Sequence, residues 1–472
     1  MPELLLSLDV GTTSLRAGLF TPAGDLVGMA ATRLSVRAPA PGLLEQDAEA
    51  IWRTARRAVD RVLQSVGRKP ADLAAIGVTS QRTSAVLWNR RTGRAASPLV
   101  LWSDLRGVEA AKALRQAGFM SAPQQAAAKL QAMVAANGAP ASELAWGNVD
   151  SWLIHRLSGG AVHATDRSQA WPTAYLDLGT MGWNAALIAH QGLDDLAFPA
   201  LVDTWGVMGH AAGRVLGAEV PIAADVADQQ SALIAHGGQA KVTYGTSAAL
   251  DVGTGPQLVF QSPQIPPFVL SSVHGETSFC LEGMVYSAGS ALDWLRAAAR
   301  LGGHARFEAM AASAADTGGA WFLPAHQGLG APYGDASRRG GLGGLTLATS
   351  PAQIARAGLE GLAFRVREVL DAVGPMLPAG PPETLGVDGG LSANDTFLQI
   401  QADLLGRPIR RHALREATAA GAALCAARGV GLLGPAEGGG FTRYDRSFEP
   451  AIGADASAER LAAWQAAAHG RA

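Results

Sequence analysis

The chain has 472 residues, with 38 lysines and arginines against 40 aspartates and glutamates and a formal net charge of −2. That balance argues against nucleic acid or an anionic membrane as the main partner, and the length exceeds one ordinary core, so two domains of about 200 to 250 residues are expected. The two cysteines, Cys280 and Cys425, are too few for a disulfide framework and fit a reducing cytoplasm.

The first apolar run follows Glu3 and is short, so it reads neither as a cationic signal peptide nor as a membrane span, and no later run is long enough to cross a bilayer. Alternating strand and helix signals then predict an α/β protein. Residues 4 to 31 read as a hairpin or meander: LLLSLDV, a turn, LRAGLF, the turn TPAGD, and LVGMA. Asp9 ends the first strand, and Gly11, Thr12, Thr13 and Ser14 make a tight turn whose N–H and hydroxyl groups can surround phosphate oxygens. From Asp47 to Val66 the spacing of Ala50, Ile51, Ala55, Val59 and Val62 is helical, with Arg53, Arg56 and Arg57 opposite. LAAIGVTSQ returns as a buried strand. In ADVADQQSAL, Asp228 precedes Gln229, Gln230 and an apolar helix start.

Residues 241 to 255, KVTYGTSAALDVGTG, echo the opening and suggest a duplicated unit. The boundary is expected near residue 240, giving domains 1–240 and 241–472, with a nucleotide's phosphates between the halves. GTGPQL and SPQIPP read as loops. RRGGLGGLT, with no helix start after it, reads as a mobile or tight connection rather than a phosphate loop. DASAERLAAWQAAAHG reads as a terminal helix with Leu461 and Trp464 inward.

Asp9 and Asp228 supply the two carboxylates that ATP-dependent phosphoryl transfer to an alcohol needs, the first to hold a metal and the second to act as base. The only lysines are Lys69, Lys112, Lys129 and Lys241, so a phosphate clamp must rely on arginine, backbone amides and metal. Taken singly, each residue has a plainer role. Asp9 can stabilise a turn, Asp228 and Asn394 can cap helices, Gly389 and Gly390 can form a turn, Arg82 can pair with an acid, and Trp102 can fill a core. Their joint order along one chain is what chance turns and caps do not reproduce. The chain has no G-x-x-x-x-G-K-[ST], no H-R-D or D-F-G, no H-E-x-x-H and no G-x-S-x-G, so P-loop, protein-kinase, metalloprotease and serine-hydrolase readings lack an anchor.

Nine collinear segments beside the turn DVGTTSLR carry a resemblance: LLEQDAEAIW, VTSQRTSAVLWNRRTG with VLWSDLRG, ADQQSALIAHG, VTYGTSAAL, LEGMVYSAGSALDWLR, FLPAHQGLGAPYGDASRRGGLGGLT, LGVDGGLSANDTFLQIQADLLGRPI and REATAAGAALCAA. In this order they resemble the FGGY family of carbohydrate kinases over almost the whole chain. The resemblance implies two actin-like, ribonuclease-H-like domains with an ATP cleft between them and the substrate deeper in the first. It implies that Asp228 is the general base and that Mg²⁺ lies near Asp9, with Asp228 also facing the metal. Thr12, Thr13, Ser14 and Arg16 match the first phosphate turn, and Gly245 with Thr246 the second. Gly289, Gly390 and Asn394 fall where the family binds the nucleotide, and a glycine pair at 389 and 390 lets backbone approach the adenosine.

Arg82, Thr83, Trp102, Gln124, Asp228 and Gln229 are the implied substrate residues. Members that phosphorylate glycerol carry a glutamate after the arginine, where this chain has Thr83, and a tyrosine five residues before a lysine, where counting back from Lys129 reaches Gln124. Losing two polyol contacts reshapes specificity, so the expected acceptor is a small polyol or a ketose, a ketopentose included, and not firmly glycerol. An actin-like ATPase coupled to a partner is the rival reading, weakened by the lack of a further peptide-binding domain. A non-catalytic sugar or nucleotide sensor is another, weakened by retention of both aspartates. The implied protein is a cytoplasmic enzyme using ATP and Mg²⁺ on a small molecule, without nucleic acid or membrane partners, and the sequence leaves a homodimer open.

Overall fold

The computed structural model describes residues 3–470. The chain forms two compact units. Unit 1 runs to Ala235 and takes in Phe268–Ser278 and Thr418–Phe441, while unit 2 holds His236–Pro267, Phe279–Ala417 and the chain from Thr442.

Unit 1 opens with an antiparallel meander, β1 (Leu4–Val10), β2 (Ser14–Phe20) and β3 (Leu26–Arg33). Every residue of β1 is buried, because the strand lies inside its sheet and both of its faces are covered. Helix α1 (Ala48–Ser65) starts where Asp47 accepts a hydrogen bond from the Ala50 N–H at 2.9 Å, the side-chain cap that stabilises a helix start by about 1 kcal/mol. Its Ile51, Ala55, Val59 and Val62 stripe packs with Leu6, Leu8 and Leu19 in one core, as its 3.6-residue spacing predicts. Then come β4 (Leu73–Ser80), α2 (Ala127–Asn137) and the single turn α3 (Arg167–Ala170). Strands β5 (Trp205–Ala211) and β6 (Val220–Ala227) lead into α4 (Asp228–Ala235). The sheet order is β5-β6-β4-β1-β2-β3. A second apolar cluster around Trp146, Tyr175 and Leu130 supports the segment between β4 and β5.

Unit 2 starts with the hairpin β7 (Ala240–Tyr244) and β8 (Ala248–Gly255). Strand β9 (Pro267–Val273) belongs almost wholly to unit 1, where the Thr204 N–H donates to the Ser272 carbonyl and the Ser272 N–H donates to the Thr204 hydroxyl, each at 2.9 Å. Unit 2 continues with β10 (Glu276–Val285), α5 (Gly289–Ala298), the long α6 (Pro351–Val373), β11 (Leu385–Gly389), α7 (Asp395–Leu405) and β12 (Ile409–His412). Helix α8 (Ala417–Gly429) returns the chain to unit 1, and β13 (Tyr444–Phe448) and α9 (Ala454–Ala468) complete unit 2.

Within their seven-stranded sheet the strands of unit 2 follow the order β10-β8-β7-β11-β12-β13. Its pairing repeats unit 1 strand for strand: an antiparallel meander of three, two parallel neighbours, and an antiparallel edge. The echo between the two turn sequences is therefore an echo of whole sheets. Trp464 of α9 is buried and stacks on Phe364 of α6 at 5.1 Å, with Leu461 packed partly inward. The stretch RRGGLGGLT differs from the expected connection, since Gly341–Gly343 pairs as a short strand with Trp321–Leu323. A Cβ on Gly343 would lie 2.4 Å from the Trp321 indole, so glycine is what lets this strand approach the ring. Among the described residues no helix is long and apolar enough to cross a membrane.

Candidate active site

Three parallel strands of unit 1 bring the candidate residues together at one end of the sheet. Val10 of β1 pairs with Ser80 of β4, and Ser80 pairs with Ala227 of β6. The chain leaves these strands on neighbouring rungs, so Asp9, Arg82 and Asp228 emerge side by side, at the carboxyl ends of strands where α/β sheets carry their ligands.

The first turn is closed by the Gly11 N–H, which donates to the Ser14 carbonyl at 3.0 Å, while the Thr13 carbonyl accepts from Leu34 N–H. Asp9 is buried, and its carboxylate lies 3.5 Å from the Arg16 guanidinium on the paired rung of β2. Thr12 sits in a ring of hydrogen bonds. Its hydroxyl donates to Gln81 Oε1 at 2.8 Å and accepts from the Trp102 indole N–H at 3.0 Å. Gln81 in turn donates to Gln46 Oε1 at 3.3 Å, and Gln46 donates to the Thr12 carbonyl at 2.9 Å. Thus the phosphate turn and the indole expected to carry substrate carbons are tied by one network. Trp102 is 42% exposed, which suits a platform better than a core residue.

Asp228 is the first residue of α4, and its Oδ1 accepts from the Gln229 N–H at 2.8 Å. The same oxygen lies 3.7 Å from Arg82 Nε. Phe268 of β9, which sequence reasoning missed, stacks on Arg82 with its ring centroid 4.6 Å from the guanidinium carbon. Thr83 is buried with φ of 58°, a left-handed backbone unusual for a β-branched residue, and such strain, of order 1–3 kcal/mol, gathers at functional sites. Gln124 is exposed in the turn before α2 and takes no part in these hydrogen bonds.

Lys129 of α2 is fully buried and donates to the carbonyls of Leu101 at 2.7 Å and Trp102 at 3.3 Å, fixing the backbone beneath the indole. Burial pushes its ammonium down to about 7, against the opposing pull of Asp104. Asp104 and Glu45 grip Arg106 at 2.8 Å each. Burial alone would raise both carboxyls, but the Arg106 hydrogen bonds hold them below the usual carboxylate range.

In unit 2 the Gly245 N–H donates to the Ser247 carbonyl at 2.9 Å, the counterpart of the Gly11–Ser14 closure. Gly289 N–H donates to the Gly245 carbonyl at 3.1 Å and Ala288 N–H to the Thr246 carbonyl at 3.0 Å, which seats the start of α5 on the turn. A Cβ on Gly289 would stand 2.6 Å from the Gly245 oxygen. At the end of β11, Gly389 has φ of 84° and a Cβ there would strike the Tyr244 carbonyl at 2.3 Å, whereas one on Gly390 would face open space. Asn394 caps α7 by accepting from Phe397 N–H at 2.7 Å.

Among the described residues no three Asp, Glu, His or Cys side chains converge as a metal cage. Mg²⁺ does not need one. It keeps several waters and is held by one or two carboxylates plus substrate phosphates, and the buried Asp9 carboxylate beside the Gly11–Ser14 turn suits that donor set.

Two α/β units with matching strand order, each with a glycine-threonine turn between its first two strands, define an actin-like protein of the ribonuclease-H-like type. Residues 4–235 match the N-terminal domain and residues 240–430 the C-terminal domain of the FGGY family of carbohydrate kinases, and the chain belongs to that family. It is 39% identical to a glycerol kinase of Aromatoleum aromaticum over 484 residues, covering 98% of this chain and 97% of that protein. Among solved structures, a Plasmodium falciparum glycerol kinase with ADP superposes with a TM-score of 0.89 at 23% identity over 98% of this chain and 97% of that one. A xylulose kinase from Rhodospirillum rubrum does so with a TM-score of 0.83 at 24% identity over 98% of both. These structures share the fold; the family match and the sequence relative carry the activity, and this chain is a carbohydrate kinase.

Proposed function

We propose that the chain transfers the γ-phosphate of ATP to a hydroxyl of a small polyol or ketose, with Asp228 as general base. The observation that carries this reading is the Asp228 carboxylate 3.7 Å from Arg82 at the strand ends that also bear Asp9 and the Thr12 turn. Asp228 takes the proton of the acceptor hydroxyl as that oxygen bonds to the γ-phosphorus. The bond from phosphorus to the bridging oxygen breaks, and ADP leaves. Arg82 donates to an acceptor oxygen and sets its guanidinium charge against the Asp228 carboxylate 3.7 Å away. The Trp102 face packs the substrate's carbons, with Thr83, Gln124 and Gln229 offering neutral polar partners. Thr12, Thr13, Ser14 and Arg16 in unit 1, with Gly11, and Gly245, Thr246, Gly289, Gly390 and Asn394 in unit 2, are the residues for the nucleotide. Mg²⁺, held by Asp9 and facing Asp228, would supply charge neutralisation on the phosphate oxygens.

The neutral Thr83 and Gln124 leave the acceptor open between a glycerol-like polyol and a pentulose. The test is ADP release from Mg·ATP across glycerol, erythritol, threitol, xylitol and the D- and L-forms of xylulose and ribulose, beside Asp228→Asn. One acceptor should stimulate turnover well above background, and the variant should lose about 10²- to 10⁴-fold in kcat, the span of a general base. Equal ADP release with every acceptor, or undiminished turnover in the variant, would refute the assignment.

A further inference from the structure

Beneath the Arg82–Asp228 pair lies a fully buried polar segment that the reaction as described does not use. Asp166, Ser168 and Gln169, around the single turn α3, are all completely inaccessible. Ser168 Oγ accepts the backbone N–H of Ala227 at 2.8 Å, and Ala227 is the residue immediately before Asp228. Gln169 Nε2 donates to the Ser80 carbonyl at 3.2 Å and to the Ser80 hydroxyl at 3.0 Å, two residues before Arg82. Ser80 and Ala227 are partners on the last rung between β4 and β6. One dipeptide therefore clasps both sides of the rung from which the base and its arginine emerge.

The clasp is itself anchored. Asp166 accepts from Ser168 Oγ at 2.8 Å and Gln169 N–H at 2.9 Å with one oxygen, and from Thr204 Oγ1 at 2.8 Å with the other. Its own N–H donates to Asp225 Oδ2 at 2.8 Å, and Asn148 Nδ2 donates to the Gln169 carbonyl at 3.2 Å. A rung held only by ladder bonds can shift at the sheet end, where pairing stops. Here the side chains of Ser168 and Gln169 replace the missing ladder.

We propose that Ser168 and Gln169 are positioning residues for phosphoryl transfer, setting the spacing of Arg82 and Asp228 through the Ser80–Ala227 rung. This rests on the assignment of Asp228 as base. Without the clasp the acceptor hydroxyl sits off line, and water competes for the γ-phosphate. Displacements of about 1 Å at such a site cost on the order of 10²-fold.

Ser168→Ala, Ser168→Thr, Gln169→Leu and Asp228→Asn are to be compared for kcat, both KM values, and the ratio of ATP hydrolysed to acceptor phosphorylated. Thermal unfolding of each variant is recorded beside them. The expected result is a kcat lower by about 10- to 100-fold in Ser168→Ala and Gln169→Leu, a raised hydrolysis ratio, an unchanged KM for ATP, and recovery in Ser168→Thr, which keeps the hydroxyl. A lower melting temperature with normal kcat and a normal ratio would make the segment merely structural and overturn the proposal. Activity retained in Asp228→Asn would instead overturn the base assignment, and the clasp's role with it.

Discussion

At the level of single residues, what local spacing could reveal and what it could not are separated by contact distance along the chain. Asp9 with its turn, and Asp228 with its amides, sit in short motifs, so their chemistry is readable from a dozen neighbours. Phe268 reaches Arg82 across 186 positions by the numbering, and nothing in SPQIPPFVL announces that contact. Ser168 and Gln169 were missed for the same reason, and an isolated serine-glutamine pair carries no motif. Phe268 has a measurable consequence. A ring over a partly desolvated guanidinium contributes about 0.5–2 kcal/mol, and it fixes which edge of Arg82 faces Asp228. Phe268→Ala should lower kcat/KM for the acceptor by roughly 3- to 30-fold with KM for ATP unchanged, whereas Phe268→Tyr should retain most activity. Steady-state kinetics with each substrate varied in turn decides it, and an equal rise in both KM values would speak against a role confined to the acceptor.

Among the elements, those with strong periodicity were legible: the opening meander, α1 with its apolar stripe, and α9 with Trp464 inward. Helix α8 was not, because ATAAGAALCAARG is alanine-rich almost all round and has no polar face to orient it. Its small residues serve contact between backbones. A Cβ on Gly77 of β4 would lie 2.2 Å from the Ala422 carbonyl oxygen, one on Gly421 would lie 1.8 Å from that of Ser231 in α4, and one on Gly429 2.1 Å from that of Ala223 in β6. Ser231 Oγ also donates to the Thr418 carbonyl at 2.7 Å. This helix backs the strands and the helix that present Arg82 and Asp228. Gly421→Ala should therefore destabilise unit 1 by about 3 kcal/mol, the upper end of ordinary overpacking, since the obstructing atom is backbone and cannot swing away. Activity should fall with it, because α4 begins at the base. Urea unfolding of the variant with an unchanged midpoint would show that the backbones part cheaply.

For the whole molecule, the echo of one turn in another foretold two repeated sheets, but sequence order hid how the chain is apportioned. A single boundary near 240 is the simplest division that strand and loop signals support. The compact units part at Ala235 and His236, yet Phe268–Ser278 and Thr418–Phe441 belong with unit 1. Long-range packing, through Thr204 with Ser272 and Gly421 with Ser231, decides that, and it leaves no local mark.

The response of the folded state to pH follows from groups buried in unit 1. Burial raises the carboxyls of Asp150, Asp166 and Asp225, with mutual repulsion adding for Asp225, and Asp166 reaches about 6 from an unfolded value of 3.8. The native state then binds more protons than the unfolded chain between roughly pH 4 and 6, so this contribution to stability is full below the lower value and is lost as pH rises through the upper. Lys129 acts in the opposite direction. Its native value of about 7 lies below 10.5, so the unfolded chain binds the extra proton between them, and the penalty, complete below pH 7, is relieved as pH climbs toward 10.5. Each group contributes a slope of up to about 1.4 kcal/mol per pH unit within its own window. Relative to the parent chain, Asp225→Asn should therefore flatten the fall in stability on the acid side by removing a carboxyl that burial and its two acidic neighbours hold well above its ordinary value. Lys129→Met should flatten the rise on the alkaline side, though it also frees the Leu101 and Trp102 carbonyls and so lowers stability throughout. Urea unfolding at pH 5, 7 and 9 separates these effects, because they differ in slope and not only in level. An Asp225→Asn curve parallel to the parent between pH 5 and 7 would mean that the three carboxyls do not share protons in the folded chain.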